Sequence, residues 1–138
     1  MWLKRPSIQT NTRSIAADDF FQGLFSTALA DGEIVTGVSF PVPEAAHYQK
    51  FDQPASRFAL VGVFVARYAS GVRVAVTGAS EAGVHRWSAA ETALSTNFSA
   101  DAVPAAPASD DMIGDIHGTP EYRANLVRVM TRRAVAAS

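Results

Sequence analysis

The stretch Phe58 to Thr77, FALVGVFVARYASGVRVAVT, limits the possible fold more than any other part of the chain. Phe58 to Tyr68 is apolar on both parities, the pattern of a strand that is central in its sheet or covered on both faces. Ala69-Ser70-Gly71 then supplies a short turn, and Val72, Val74 and Val76 alternate with Arg73, Ala75 and Thr77 on the return strand. This hairpin is the clearest local structure in the sequence, and the other elements are read around it.

Upstream, Tyr48 to Phe51 is a short strand candidate. From Glu33 to Phe40 the alternation of Ile34, Thr36, Val38 and Phe40 suits another, stopped by Pro41 and Pro43, which cannot donate to a ladder. The segment ADDFFQGLFSTALADG places Phe20, Phe21, Leu24, Phe25, Ala28 and Leu29 at helical spacing, with Asp18 or Asp19 available to cap. It predicts an amphipathic helix over Asp19 to Leu29, weakest at Gly23, and then a turn at Asp31-Gly32. At the start, Trp2-Leu3 and Ser14-Ile15 read as two strand pieces joined by the polar loop Pro6 to Thr12.

Downstream of the hairpin, GASEAG is a flexible loop, and Ser88 with Glu91 forms the signature of a capping box opening a helix from Ala89 to about Thr96. Asp101 to Asp111, rich in Ala, Pro, Ser and Asp, reads as a connector with room for one helical turn. The last helix is the best signalled. Thr119 caps it, Pro120 sits at its first position, Glu121 complements the positive end, and Arg128, Arg132 and Arg133 lie toward the negative end. Tyr122, Leu126, Val129 and Met130 form the expected buried stripe. The block of strands followed by helices predicts an α+β two-layer sandwich: a mostly antiparallel sheet of three or four strands with helices on one face.

Composition removes several function classes. Twelve Lys and Arg against thirteen Asp and Glu leave no positive field to draw a phosphate backbone or an anionic membrane, so neither nucleic acid nor a membrane is an expected partner. Cysteine is absent, which excludes disulfides, thiolate metal sites and cysteine nucleophiles and makes the cytoplasm the default compartment. The longest apolar run is far shorter than the roughly 20 residues of a membrane helix, and the N-terminal MWLKRPSIQTNTR lacks the apolar core of a signal peptide.

No set of side chains announces catalysis or metal binding. His47, His85 and His117 are scattered; Asp110, Asp111, Asp115 and His117 are the nearest approach to a cation site and read as a polar loop ahead of the last helix. No serine elbow and no phosphate-cradling glycine loop occurs. Tyr48-Gln49-Lys50-Phe51 is more informative, because in a strand Tyr48 and Lys50 share one face. A ring with an ammonium beside it can cover a planar ring system. Physics alone favours the plainer account, an edge strand with a lysine reaching to solvent.

The order of motifs adds what residue chemistry leaves open. ADDFFQG, DGEIVTGVSFPVP, YQKFDQPASRFALVGVFVA, GVHRWSAAETAL and DIHGTPEYRANLVRVMTRRAV together resemble, almost end to end, the flavoprotein (medium) subunit of aerobic carbon monoxide dehydrogenases and related xanthine-dehydrogenase-type molybdenum hydroxylases. The resemblance implies that residues 1–32 are remnant strands and a connecting helix of an FAD-binding (PCMH-type) domain. Residues 33–138 would then be the C-terminal domain that closes over the flavin. It implies FAD as the parent family's cofactor, electrons relayed from a molybdenum and iron-sulfur partner, and Tyr48 and Lys50 as cofactor-binding residues. Arg57 stands where many relatives carry aspartate.

The family's AGGTDL-type loops are missing, and a pyrophosphate needs such a nest of backbone amides. The chain alone is therefore expected to be non-catalytic and to hold FAD weakly or not at all. Its expected partners are an FAD-binding half or homologous flavoprotein chain, the molybdopterin and iron-sulfur subunits, and a second copy of itself through apolar surface left by Trp2, Leu3 and the first helix. The competing reading is a stand-alone scaffold module that keeps the fold without the flavin.

Overall fold

A computed structural model describes residues 6–138, which form two compact units, 6–42 and 43–138. The predicted Trp2-Leu3 strand lies outside the described residues.

In the first unit β1 (Ser7–Thr10) is the middle of an antiparallel sheet, with β2 (Ser14–Ala16) on one side and β5 (Val35–Ser39) on the other. The expected polar loop from Pro6 to Thr12 is thus largely strand. Ile8 supplies the reason: it pairs with Ile15 and Val38, and Ile8 and Ile15 are this unit's buried side chains among the described residues. β5 belongs to this sheet, and the first compact unit runs to Val42.

The predicted helix over Asp19 to Leu29 does not form. A single turn, α1 (Ala17–Phe20), gives way to a small hairpin of β3 (Phe21–Gly23) and β4 (Ser26–Thr27). Gly23 sits at φ +150°, which a helix cannot accommodate, and Phe20's carbonyl accepts from the amide of Ala28 at 2.9 Å instead of from within a helix. The aromatic residues that produced the helical period also favour extended backbone. The hairpin leaves Phe21 and Leu24 half exposed and Phe25 fully exposed at its tip.

The first unit is held by a polar knot. The Glu33 carboxylate accepts from Arg13 Nε and Nη2 at 2.9 Å each, Thr10 Oγ1 at 2.7 Å, Thr12 Oγ1 at 2.9 Å and the Ala30 amide at 2.8 Å. These donors, Arg13 first, hold Glu33 well below the usual carboxylate range. Arg13 also donates to the Ala28 carbonyl at 2.5 Å, tying the base of the hairpin to the knot.

The second unit is a four-stranded antiparallel meander, β6 (Ala45–Asp52), β7 (Ala59–Tyr68), β8 (Gly71–Thr77) and β9 (His85–Arg86), with α2 (Ser88–Thr96) and α3 (Pro120–Ala136) on one face. This is the predicted α+β sandwich. The hairpin turns as expected, Tyr68 pairing with Gly71, and β7 is central in its sheet. Val61, Val63 and Val65 meet Val72, Val74 and Val76 under the helices, all but Val72 essentially inaccessible. The β6–β7 register shifts between Phe51 and Asp52, leaving Leu60 without a partner on β6, and Leu60 and Val61 are both buried.

Both helices differ from expectation in instructive ways. Glu91 makes no capping box: α2 has no side-chain cap, and the Glu91 carboxylate accepts from the Val74 amide at 3.0 Å and from the Arg86 guanidinium. One turn on, Ser95 Oγ accepts from the Val72 amide at 2.8 Å. Since β9 is only two residues long, these i, i+4 side chains serve β8 amides that no strand reaches, closing the sheet edge. In α3 the Thr119 cap is as predicted, accepting from the Tyr122 amide at 3.2 Å. Its buried stripe is rotated, however: Leu126 and Met130 are buried as expected, Tyr122 is 41% exposed, and Arg123 is buried in its place.

Candidate functional site

The helix-free face of the second sheet is built by parity. Along β6 residues alternate between partial burial and exposure, so His47, Gln49 and Phe51 turn toward the helices while Tyr48 and Lys50 turn away. Phe51 meets Tyr122 of α3 edge to face, centroids 6.2 Å apart.

Register then fixes who stands beside whom. Tyr48, Phe64 and Ala75 form one row across the face; Lys50, Gly62 and Thr77 form the next. Tyr48 is 47% exposed and Phe64 43%. The two half-exposed rings are carried by directly paired residues, with Gly62 and Ala75 as their small neighbours across the face.

Lys50 is more constrained than its sequence setting suggests. Its Nζ donates to the Arg57 carbonyl at 2.9 Å and lies 3.0 Å from an Asp52 carboxylate oxygen. It thus clamps the loop 53–58, which is further closed by the Arg57 amide on the Gln53 carbonyl at 2.8 Å. Arg57 holds φ +59°, a strained backbone for a non-glycine residue. The Arg57 side chain is exposed, beside the strand that carries Tyr48.

The other sequence candidates take structural parts. Asp115 accepts from the His117 amide at 2.9 Å and from Arg123 at 2.7 Å, and these contacts, the His117 amide first, lower its pKa. Among the described residues no group of three or more His, Cys, Asp or Glu side chains is arranged to hold a metal. Arg123, which periodicity placed outside the buried stripe, is 2% exposed and donates to the carbonyls of Leu60 and Gly78 at 2.9 Å each as well as to Asp115. Sequence signals for it are slight, because an arginine one residue off an apolar stripe normally faces solvent.

The fold of the chain matches the quinoline 2-oxidoreductase of Pseudomonas putida 86 with a TM-score of 0.76, at 22% identity, over 96% of this chain and 52% of that one. Sequence relatives are more specific. The chain is 36% identical over 134 residues to the nicotine 6-hydroxylase medium subunit of Paenarthrobacter nicotinovorans and 29% identical over 135 residues to the carbon monoxide dehydrogenase medium chain of Afipia carboxidovorans. Each alignment takes in 89% of this chain and 47% of the relative. The glyceraldehyde dehydrogenase medium chain of Sulfolobus acidocaldarius is 28% identical over 144 residues, half of its own length. No family model matches. The chain is therefore a homologue of oxidoreductase medium subunits, as its motifs suggested, and spans about half the length of the curated relatives it matches.

Proposed function

We propose that this chain is the flavin-covering and subunit-docking part, the C-terminal half, of an FAD-dependent oxidoreductase medium subunit of the carbon monoxide dehydrogenase type. The observation that carries the reading is the pair of half-exposed rings, Tyr48 and Phe64, on the helix-free face with Lys50 in the next row, on a chain homologous to medium subunits. Tyr48 would lie against the isoalloxazine and shield one face of it from water. Lys50, already holding the 53–58 loop through Arg57 and Asp52, would set the edge of the site and leave its remaining N–H for a flavin carbonyl.

When bound, FAD supplies the electron relay between a molybdenum and iron-sulfur partner and an external acceptor. This chain's own residues do no bond chemistry in that relay. They orient the ring and exclude water. The pyrophosphate would be held by the half that carries glycine-rich loops, of which this sequence has none. Residues 6–42 would be the tail of that FAD-binding half, with the exposed Leu24-Phe25 tip as a docking element or a route to self-association in a cytoplasmic setting.

Riboflavin, which has the ring but no pyrophosphate, tests the reading directly. Its fluorescence should be quenched by the chain in a weak, saturable manner, and Tyr48→Ala should abolish the quenching while the chain remains folded by circular dichroism. Tight binding of FAD by the chain alone would contradict the assignment of the pyrophosphate to another half.

A further inference from the structure

Strand side chains normally stand upright from a sheet, which would present Tyr48 to a ligand edge-on. Here Tyr48 instead leans along the sheet over Gly62. Gly62 sits diagonally across from Tyr48 on β7, opposite Lys50 on one side and Thr77 on the other. A methyl group built on Gly62 would collide with the Tyr48 hydroxyl, and would stand only 3.1 Å from Tyr48 Cε2 and 2.9 Å from Thr77 Cγ2. The Tyr48 ring therefore occupies the place of the missing side chain, its outer edge converging on the Thr77 methyl over bare backbone.

We propose that Gly62 is a positioning residue for the site: by leaving a gap in the helix-free face it lets Tyr48 lie along the sheet, one ring face turned outward, and so sets the stacking geometry. This rests on the reading of Tyr48 as a ring-stacking residue and names the residue that determines how it stacks. The gap is specific to this place. The same β7 face carries Phe64 at the next position along, directly paired with Tyr48 and 43% exposed. A side chain at residue 62 would lift Tyr48 upright and turn the Thr77 methyl aside without breaching the core, because the atoms it meets belong to two exposed side chains.

The experiment compares wild type, Gly62→Ala, Tyr48→Phe and the Gly62→Ala/Tyr48→Phe double variant by two independent readouts. The first is the nuclear Overhauser cross-peak between the ring-edge protons of residue 48 and the Thr77 methyl. It should be present in wild type and Tyr48→Phe and lost in Gly62→Ala, with the melting temperature little changed. The second is riboflavin quenching, whose association constant should fall about fivefold or more in Gly62→Ala. It should recover in part in the double variant, where the colliding hydroxyl is gone; a merely structural glycine would show no such rescue.

A cross-peak retained in Gly62→Ala overturns the proposal whatever riboflavin does. Loss of the cross-peak with unchanged quenching overturns its functional half. If wild type does not quench riboflavin at all, the flavin reading fails, and the cross-peak still decides whether Gly62 seats the ring.

Discussion

The two units of this chain are stabilised by different physics. Residues 43–138 bury a continuous valine, leucine and alanine core between four strands and two helices. Residues 6–42 bury Ile8 and Ile15 and otherwise depend on the Glu33 knot. Hydrophobic burial responds little to pH and to charge screening; a carboxylate collecting five donors responds to both. The comparison shows how a segment with little core can still hold a defined strand pairing.

The largest effect should come from opening the core of the second unit. Leu94, 1% exposed on α2, truncated to alanine should cost about 2–5 kcal/mol in denaturant unfolding of that unit while amide protection in β1 and β5 stays unchanged. Loss of protection in both units together would sink the distinction. Arg123→Met should follow at about 2–4 kcal/mol, because it strands the Leu60 and Gly78 carbonyls at the ends of β7 and β8.

Acid should separate the units in the opposite sense. Glu33 is depressed in the folded state, so its contribution is fully present above the ordinary carboxylate value, about 4.3, and is lost as pH falls below that toward the folded value. Amide exchange between pH 5 and about 3 should show β1, β2 and β5 opening before β7 and β8, and Glu33→Gln should open them already at neutral pH. Smaller still, Thr119→Ala should cost about 1 kcal/mol by removing the α3 cap. Phe25→Ser, at a fully exposed tip, should leave stability unchanged and lower any self-association seen by sedimentation at two concentrations.

Legibility differed between the units for the same reason. In the second, strand period, turn signals and the α3 cap agreed, so the β7–β8 hairpin, the existence of both helices and the layer arrangement were legible, while the α2 cap and the rotation of α3 were not. In the first, a polar segment proved to be strand because Val38, its deciding partner for Ile8, is distant along the chain, and an apolar one formed a local hairpin, closed by Ala28 on Phe20, whose aromatic residues mimic a helical period. Glu91 was correctly singled out and wrongly employed: its spacing fitted a local cap, but two β8 amides left by a short β9 were the better use for Glu91 and Ser95.

The sequence by itself determined the α+β class, the central hairpin, the capped last helix, the pairing of Tyr48 with Lys50 on one strand face and the likeness to medium subunits. These follow from local periods and motif order, which need no distant partner. Only the tertiary structure decided that Tyr48 lies over Gly62, that Lys50 is engaged with Arg57 and Asp52, and that Arg123 is buried across two strand ends. Cross-strand register and rotation of a helix about its axis depend on long-range packing, and a shift of one residue in either reassigns which side chains face the core and which face a ligand.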